Sequence, residues 1–453
     1  MIGPSAVAGS GRSKKKASLA VHPEAVTATR PSAADVSKMR RRRSTRVTLA
    51  HEGSPHSPGW RRPAGGCPRA RPTSSVAVVS APVPPAGFLD AASGQPLNPA
   101  AREAWGAAAD AGWADPARLY REGRRAALLA NAAQEAVASR IGARPDEVRL
   151  VAEGCLATVI ESWLGQAPGH LVCSAAEHSS VLAEADRLVA RGGRAEIIGV
   201  DRTGRVNGTA YKEALPGASL AVLQAANHEV GTRQPIVAMA EAAAAAGVPL
   251  LVDASVTLGR EAVPEGWSIL FGRAATWGGP PGVGVVAVRR HLHAPPLDLP
   301  RAGLPAALAA ARGLEWAEEH RIEESSRARM LTDRIREAVP LAVPDVALLG
   351  SDDRVDYLTA LSCLFVDGEA LVLGLDREGY AISSGSSCVS DLRRPSHVLM
   401  AMGVLTQGNV RVSLPFGVSD ATVDGFIETF PRVVSDIRAM LHVDDLTTEI
   451  PDE

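Results

Sequence analysis

The stretch ISSGSSCVSDLRRPSHVLMAMG (382–403) sets Cys388 in a run of serine and glycine. Gly and Ser favour turns, so this thiol is expected on an exposed loop and not inside a strand or helix. A loop thiol with a lowered pKa is a nucleophile, whereas most unpaired cysteines are small buried hydrophobes. Both readings stand for Cys388. Arg411, in NVRVSLP (409–415), carries a planar fork of donors that suits a carboxylate, and a plain surface ion pair would use the same residue. His178 closes AAEH, Asp253 ends LLVD, and Asn227, His228 and Glu229 follow LAVLQAA. Taken singly, each could be a cap or a satisfied structural group. Together they lie just past apolar, strand-like runs, which is where parallel sheets keep their crevices.

The elements that would position these residues alternate. DPARLYREGRRAALLANAAQEAVASRIGA (115–143) has apolar residues at helical spacing. A short strand over 146–154, a helix from Cys155, a strand over 169–178 and a helix over 179–193 follow. RAEIIGVD, LAVLQ, VPLLVDAS, SILFGR and GVGVVAVRR read as further strands, with VAMAEAAAAAG as a helix between two of them. This βα alternation argues an α/β fold with a mostly parallel sheet covered on both faces. Residues 296–436 read differently: long helices around 302–338, strands near 354–364 and 379–383, and a final helix. The division expected is 1–86 as a disordered basic extension, 87–295 as a large domain, 296–436 as a smaller α+β domain, and 437–453 as an acidic tail.

Of the 453 residues, 46% are hydrophobic and 22% charged, as in an ordinary globular protein. Residues 1–86 hold 15 Lys/Arg against 3 Asp/Glu, and the rest hold 33 against 47. For the basic segment, a start codon placed too far upstream is preferred over a solvated tail or a phosphate-binding arm. No aromatic platform accompanies the arginines, which argues against nucleic acid. Five cysteines without a CxxC, and no HExxH, give no metal site and fit a reducing, cytoplasmic setting. No uncharged apolar run reaches the roughly 18 residues of a membrane span, and the amino end lacks a secretory pattern.

The motifs FLDAASGQP, LYREGR, AEHSSV, NHEVGTRQPI, LVDAS, WGGPPGVG, SSGSSC, PSHVLMAMG and VRVSL, in this order over residues 87–436, resemble the NifS-like cysteine desulfurases. These are class V aminotransferases, of fold type I among the pyridoxal phosphate (PLP) enzymes. The resemblance implies that His178 stacks on the pyridine ring and that Asp253 pairs with its nitrogen. It places Asn227 near the ring hydroxyl and substrate, and Arg411 on the carboxylate of L-cysteine. Cys388 would take the sulfur as a persulfide. Gly154 and Cys155 lie in the phosphate turn EGCLAT (153–158). The resemblance further implies a homodimer and a sulfur-acceptor protein.

The departures fall on the cofactor. Thr276 stands where the family has its Schiff-base lysine, Ala275 at the preceding histidine, and Arg273 at an earlier serine. Val256 replaces a glutamine and Leu156 a threonine, and LDLPRAGLPAALAA stands in place of a polar segment. The only lysine after Lys38 is Lys212, in a region that the family places far from the ring. Arg273 could supply a replacement phosphate contact or a structural ion pair. PLP is therefore expected to be held non-covalently if it is bound at all. The function expected is handling of sulfur from L-cysteine through Cys388, with ordinary turnover impaired. The alternatives are a non-catalytic paralogue that acts as a dimeric partner or regulator beside an active desulfurase, and a PLP-independent persulfide relay.

Overall fold

The computed structural model describes residues 84–165, 169–292, 295–384 and 395–440. Among them, seven strands form one sheet: β1 (Val148–Ala152), β2 (His170–Ser174), β3 (Arg194–Ile198), β4 (Leu220–Gln224), β5 (Leu250–Asp253), β6 (Ile269–Arg273) and β7 (Val283–Val288). Their spatial order is β1-β7-β6-β5-β4-β2-β3. β7 is antiparallel to both of its neighbours, and the other pairs are parallel. The sequence explains the arrangement. LAVLQ in β4 and LLVD in β5 are buried at every position, as central strands covered on both faces must be.

Helices α1 (Pro99–Ala111), α2 (Arg121–Arg140), α3 (Leu156–Leu164), α4 (Ser179–Ala190), α5 (Gly208–Ala214) and α6 (Ile236–Ala245) surround this sheet. A 39-residue helix, α7 (Leu304–Ala342), then runs from one core into another. Its Ala310, Ala311, Leu314 and Ala317 pack with the large sheet, while Ala328, Leu331, Ile335 and Val339 pack in a second core. That core covers an antiparallel sheet of β8 (Val346–Leu349), β9 (Leu358–Cys363) and β10 (Asn409–Ser413), ordered β10-β9-β8. It also takes in residues of α8 (Gly368–Arg377) and α10 (Asp420–Met440). A short helix, α9 (His397–Met402), precedes β10. Leu89, Ala91 and Ala92 of the amino-terminal segment belong to this second core.

Several elements differ from the sequence reading. The helix expected over 115–143 begins at Arg121, because Asp115-Pro116 makes a turn first. The Asp115 carboxylate accepts from Ala117 N at 2.8 Å, and the Asp115 carbonyl accepts from Arg118 N. Helix α1 was not foreseen. Asn98 caps it by accepting from Ala101 N at 2.9 Å, with Pro99 opening the first turn. The strand expected at 379–383 reduces to isolated bridges, Ala381 to Phe88 and Ser383 to Arg411. The helices expected around 302–338 are one helix, and its Pro340 falls in the last turn. No described helix is long and apolar enough to cross a membrane.

Candidate functional site

Chain direction brings the carboxyl ends of β1, β2, β4, β5 and β6 to one edge of the large sheet, and the residues singled out above follow those ends. His178 is the N-cap of α4. Its Nδ1 accepts from Ser180 N at 3.2 Å and lies 2.8 Å from Ser180 Oγ. Asn227, fully buried after β4, donates from Nδ2 to the Ala176 carbonyl at 3.0 Å. Its Oδ1 accepts from Glu229 N and Val230 N, both at 2.9 Å. Asp253, at the end of β5, accepts at Oδ1 from the Ser255 amide at 2.9 Å and from the Ser255 hydroxyl. The His178 and His228 rings are 5.3 Å apart, and His397 lies 6.5 Å beyond His228.

Arg411, on β10, reaches this group from the second core. Its Nη1 donates to the His228 carbonyl at 2.9 Å, and its Nη2 to Asp90 and to Ser93 Oγ, each at 2.7 Å. A carboxylate of the chain itself thus occupies part of the fork. The segment 90–95 ties both cores to the site, because Gln95 also donates to the Thr276 carbonyl at 2.6 Å and accepts from Phe416 N at 3.0 Å.

The remaining side of the site is the 3-10 turn Ala274–Trp277 after β6. Trp277 is wholly buried and donates from Nε1 to the Ala310 carbonyl of α7 at 3.0 Å. Gly278 follows in the left-handed region at φ +74, where a Cβ would meet Asn98 at 3.1 Å. These contacts fix Thr276, which is 1% exposed and donates its hydroxyl to the Ser255 carbonyl. Its carbonyl also accepts from Arg260 Nε at 3.0 Å. Arg273 forms an ion pair with Glu153, whose other oxygen accepts from Gly282 N at 2.8 Å. Gly154 follows at φ +88, and Cys155, buried, is the N-cap position of α3 without a side-chain cap bond.

Three further groups belong to this site. Glu177 is fully buried and accepts from Gln224 N at 3.1 Å; burial pushes its carboxyl well above the usual range, and nearby Asp253 adds to this. Burial likewise raises the Glu229 carboxyl to about 7, against the opposing effects of the Ser396 hydroxyl, which donates at 2.6 Å, and of Arg411. Burial, then facing His178 and Arg411, hold the His228 imidazole well below its ordinary value. His178 is also lowered, by burial first, with Asp253 opposing. Burial thus favours the neutral forms of the His178 and His228 imidazoles and of the Glu177 carboxyl, and sets Glu229 near its midpoint at neutral pH, a group able to hold and pass protons. Glu177 could have been suspected from its place beside His178. Ser396 and His397, which bonds the Glu177 carbonyl at 2.9 Å, lie in the PSHVLMAMG motif.

Asp253, His178, Asn227, Arg411, Arg273 and Thr276 are therefore joined through short chains of contacts. Lys212 is not among them; it lies exposed on α5, which packs against α6, β2 and β3. Cys388 lies outside the described residues. Among those described, the free cysteines Cys155, Cys173 and Cys363 are buried, and burial raises the pKa of each thiol.

The class-V aminotransferase family matches residues 111–299. An IscS-like cysteine desulfurase of Mycobacterium tuberculosis is 34% identical over 385 residues, covering 78% of this chain and 97% of the relative. The chain belongs to the cysteine desulfurase family. A cysteine desulfurase of Cereibacter sphaeroides is 35% identical over 352 residues, covering 72% of this chain and 90% of that one. Solved structures agree in fold. A NifS-like protein superposes with a TM-score of 0.69 at 21% identity, over 77% of this chain and 99% of its own. The apo cysteine desulfurase from Thermococcus onnurineus NA1 gives 0.68 at 18%, over 77% and 94%. The fold is thus that of a fold-type I PLP transferase, with a mostly parallel large sheet and a smaller antiparallel one.

Desulfurases of this fold use PLP, and the residues present here do not fit a covalently held PLP. Thr276 offers a hydroxyl already committed to Ser255, where an imine needs an amine. In the turn after β1, where the resemblance expects the phosphate, Leu156 opens α3 with an apolar side chain, and a carboxylate, Glu153, stands among the donors.

Proposed function

We propose that this member of the cysteine desulfurase family handles sulfur without Schiff-base chemistry, as a persulfide carrier loaded on Cys388. The observation behind the reading is Thr276, buried and bonded to Ser255 where the resemblance expects the family's lysine, while Lys212 is exposed on α5. The transfer needs no cofactor. The Cys388 thiolate attacks the outer sulfur of a donor persulfide, a new S–S bond forms, the donor's S–S bond breaks, and the donor leaves as a thiolate. The reverse step delivers the sulfur to an acceptor protein. Arg411 argues for a protein donor over free L-cysteine, because Asp90 and Ser93 already hold the guanidinium that would clamp an amino acid carboxylate. We take the chain to act as a homodimer.

A second reading, a dimeric partner without sulfur chemistry, draws on the same engagement of Arg411. The test is to offer the full chain a persulfide-bearing donor protein, and separately L-cysteine, and to map added sulfur by mass spectrometry. Sulfur on Cys388 from the donor, lost in Cys388→Ser, supports the carrier. No sulfur from either source leaves the partner reading as the better account. Loading from L-cysteine alone, sensitive to Arg411→Ala, would restore the amino acid as substrate.

A further inference from the structure

Glu153 follows β1, and its contacts run to the neighbouring strands, to Gly282 before β7 and to Arg273 at the end of β6. Its amide donates to the Gly282 carbonyl at 2.9 Å, and its Oε2 accepts from the Gly282 amide at 2.8 Å. Its Oε1 accepts a hydrogen bond from Arg273 Nε at the end of β6. The two side chains are 22% and 30% exposed, so the pair is set into the rim and not free in solvent. One carboxylate therefore consumes a guanidinium donor and a backbone donor at the carboxyl edge of the sheet. It does so three residues before α3, whose first-turn N–H groups would otherwise favour an external anion. The remaining bond from Arg273, Nη2 to the Ser93 carbonyl at 3.4 Å, turns the guanidinium toward the 90–95 segment.

We propose that Glu153 is a built-in anion that closes the phosphate end of the site. This chain would then not take PLP, or another organic phosphate, at that place even non-covalently. A phosphate arriving at the turn would meet a carboxylate in a partly buried setting, where a like charge within about 4–6 Å disfavours a second anion. Its best cationic partner, Arg273, is already neutralised. The inference rests on the reading that no imine forms, and extends it from loss of the covalent bond to loss of the phosphate grip. It also reassigns Arg273 from a phosphate contact to the counter-ion of Glu153.

The test compares PLP, pyridoxal and inorganic phosphate by equilibrium dialysis against the full chain. Wild type is expected to bind PLP no better than pyridoxal, within about twofold. Glu153→Gln keeps the shape, removes the charge and frees Arg273. It is expected to bind PLP at least about tenfold tighter than pyridoxal, with inorganic phosphate competing. Arg273→Ala is expected to gain nothing, because the carboxylate remains. Glu153→Ser serves as a second variant, and thermal melts check that each one folds. Wild-type binding that favours PLP over pyridoxal by about tenfold or more, weakened by Arg273→Ala, would overturn the proposal. Folded Glu153 variants without any phosphate-dependent gain would overturn it equally. Borohydride reduction separates the two levels of failure. A reduced pyridoxyl-lysine would sink the reading that no imine forms, whereas tight binding without such an adduct would sink only the closure by Glu153.

Discussion

The rim of the site has two sides that diverge in different ways. On the β2, β4 and β5 side stand His178, Asn227 and Asp253, the residue types that the resemblance expects. On the β1 and β6 side stand Leu156, Arg273 and Thr276, which depart from the residues that the resemblance expects, with Glu153 beside them. Yet the retained residues have structural employment as complete as that of the replacements. His178 caps α4, Asn227 satisfies three backbone groups around its turn, and Asp253 ties down Ser255. Arg411, also retained, braces Asp90 and Ser93 to the His228 loop. A side chain kept for such bonds would persist whether or not it served chemistry, because leaving buried partners unsatisfied costs about 1–3 kcal/mol per group. Identity to the family motif is thus weaker support for catalysis on the retained side than its pattern suggests. The changed side is the more informative one.

The largest effect should come from the changed side. Trp277→Ala removes a fully buried indole and its bond to Ala310, and should cost roughly 3–5 kcal/mol in chemical denaturation. A cost under about 1 kcal/mol would mean that the turn carrying Thr276 is not fixed as described. The next test uses pH. Glu229, raised by burial from an ordinary 4.5 to about 7, stays protonated in the folded state after the unfolded chain has ionised. The folded state then binds the extra proton, so stability falls as pH rises from about 4.5 to 7 and the cost is complete above it, roughly 3 kcal/mol. Glu229→Gln, which can still accept from Ser396, should gain stability on wild type by about that amount between pH 5 and pH 8. A pH-independent difference would show that Glu229 is ionised in the fold throughout. The smallest effect bears on the retained side. His178→Ala should cost about 1 kcal/mol by loss of the α4 cap, and His178→Asn should recover most of it, since Asn is a good cap. If Asn recovers nothing, capping does not account for the histidine.

How much of this was legible in the sequence depended on range. The parallel strands β2, β4, β5 and β6 announce themselves as apolar runs, and the residues after them fall at the carboxyl edge as expected. The distance of Thr276 from the glycine-proline turn is what marks it as standing where the resemblance expects a lysine. Helix α1 carried a readable Asn98-Pro99 start that its alanine-rich, weakly patterned body obscured. The contacts that decide the chemistry are of another kind. Glu153 meets Arg273 across 120 positions and Arg411 meets Asp90 across 321. No local pattern encodes such pairs; the first follows from the strand order that sets β1 and β6 on either side of β7, the second from how the 88–95 segment meets β10. Nor could residue types alone show that the Thr276 hydroxyl is already spent on Ser255.

The central claim is that this desulfurase-family chain holds no Schiff base. Purified full-length protein should be incubated with excess PLP, reduced with borohydride, and its intact mass and peptides read by mass spectrometry. The account predicts an unmodified mass, no stoichiometric pyridoxyl adduct on any peptide, and no such adduct at Lys212. A stoichiometric pyridoxyl-lysine, at Lys212 or elsewhere, would contradict it and return the chain to the PLP-dependent chemistry of its relatives.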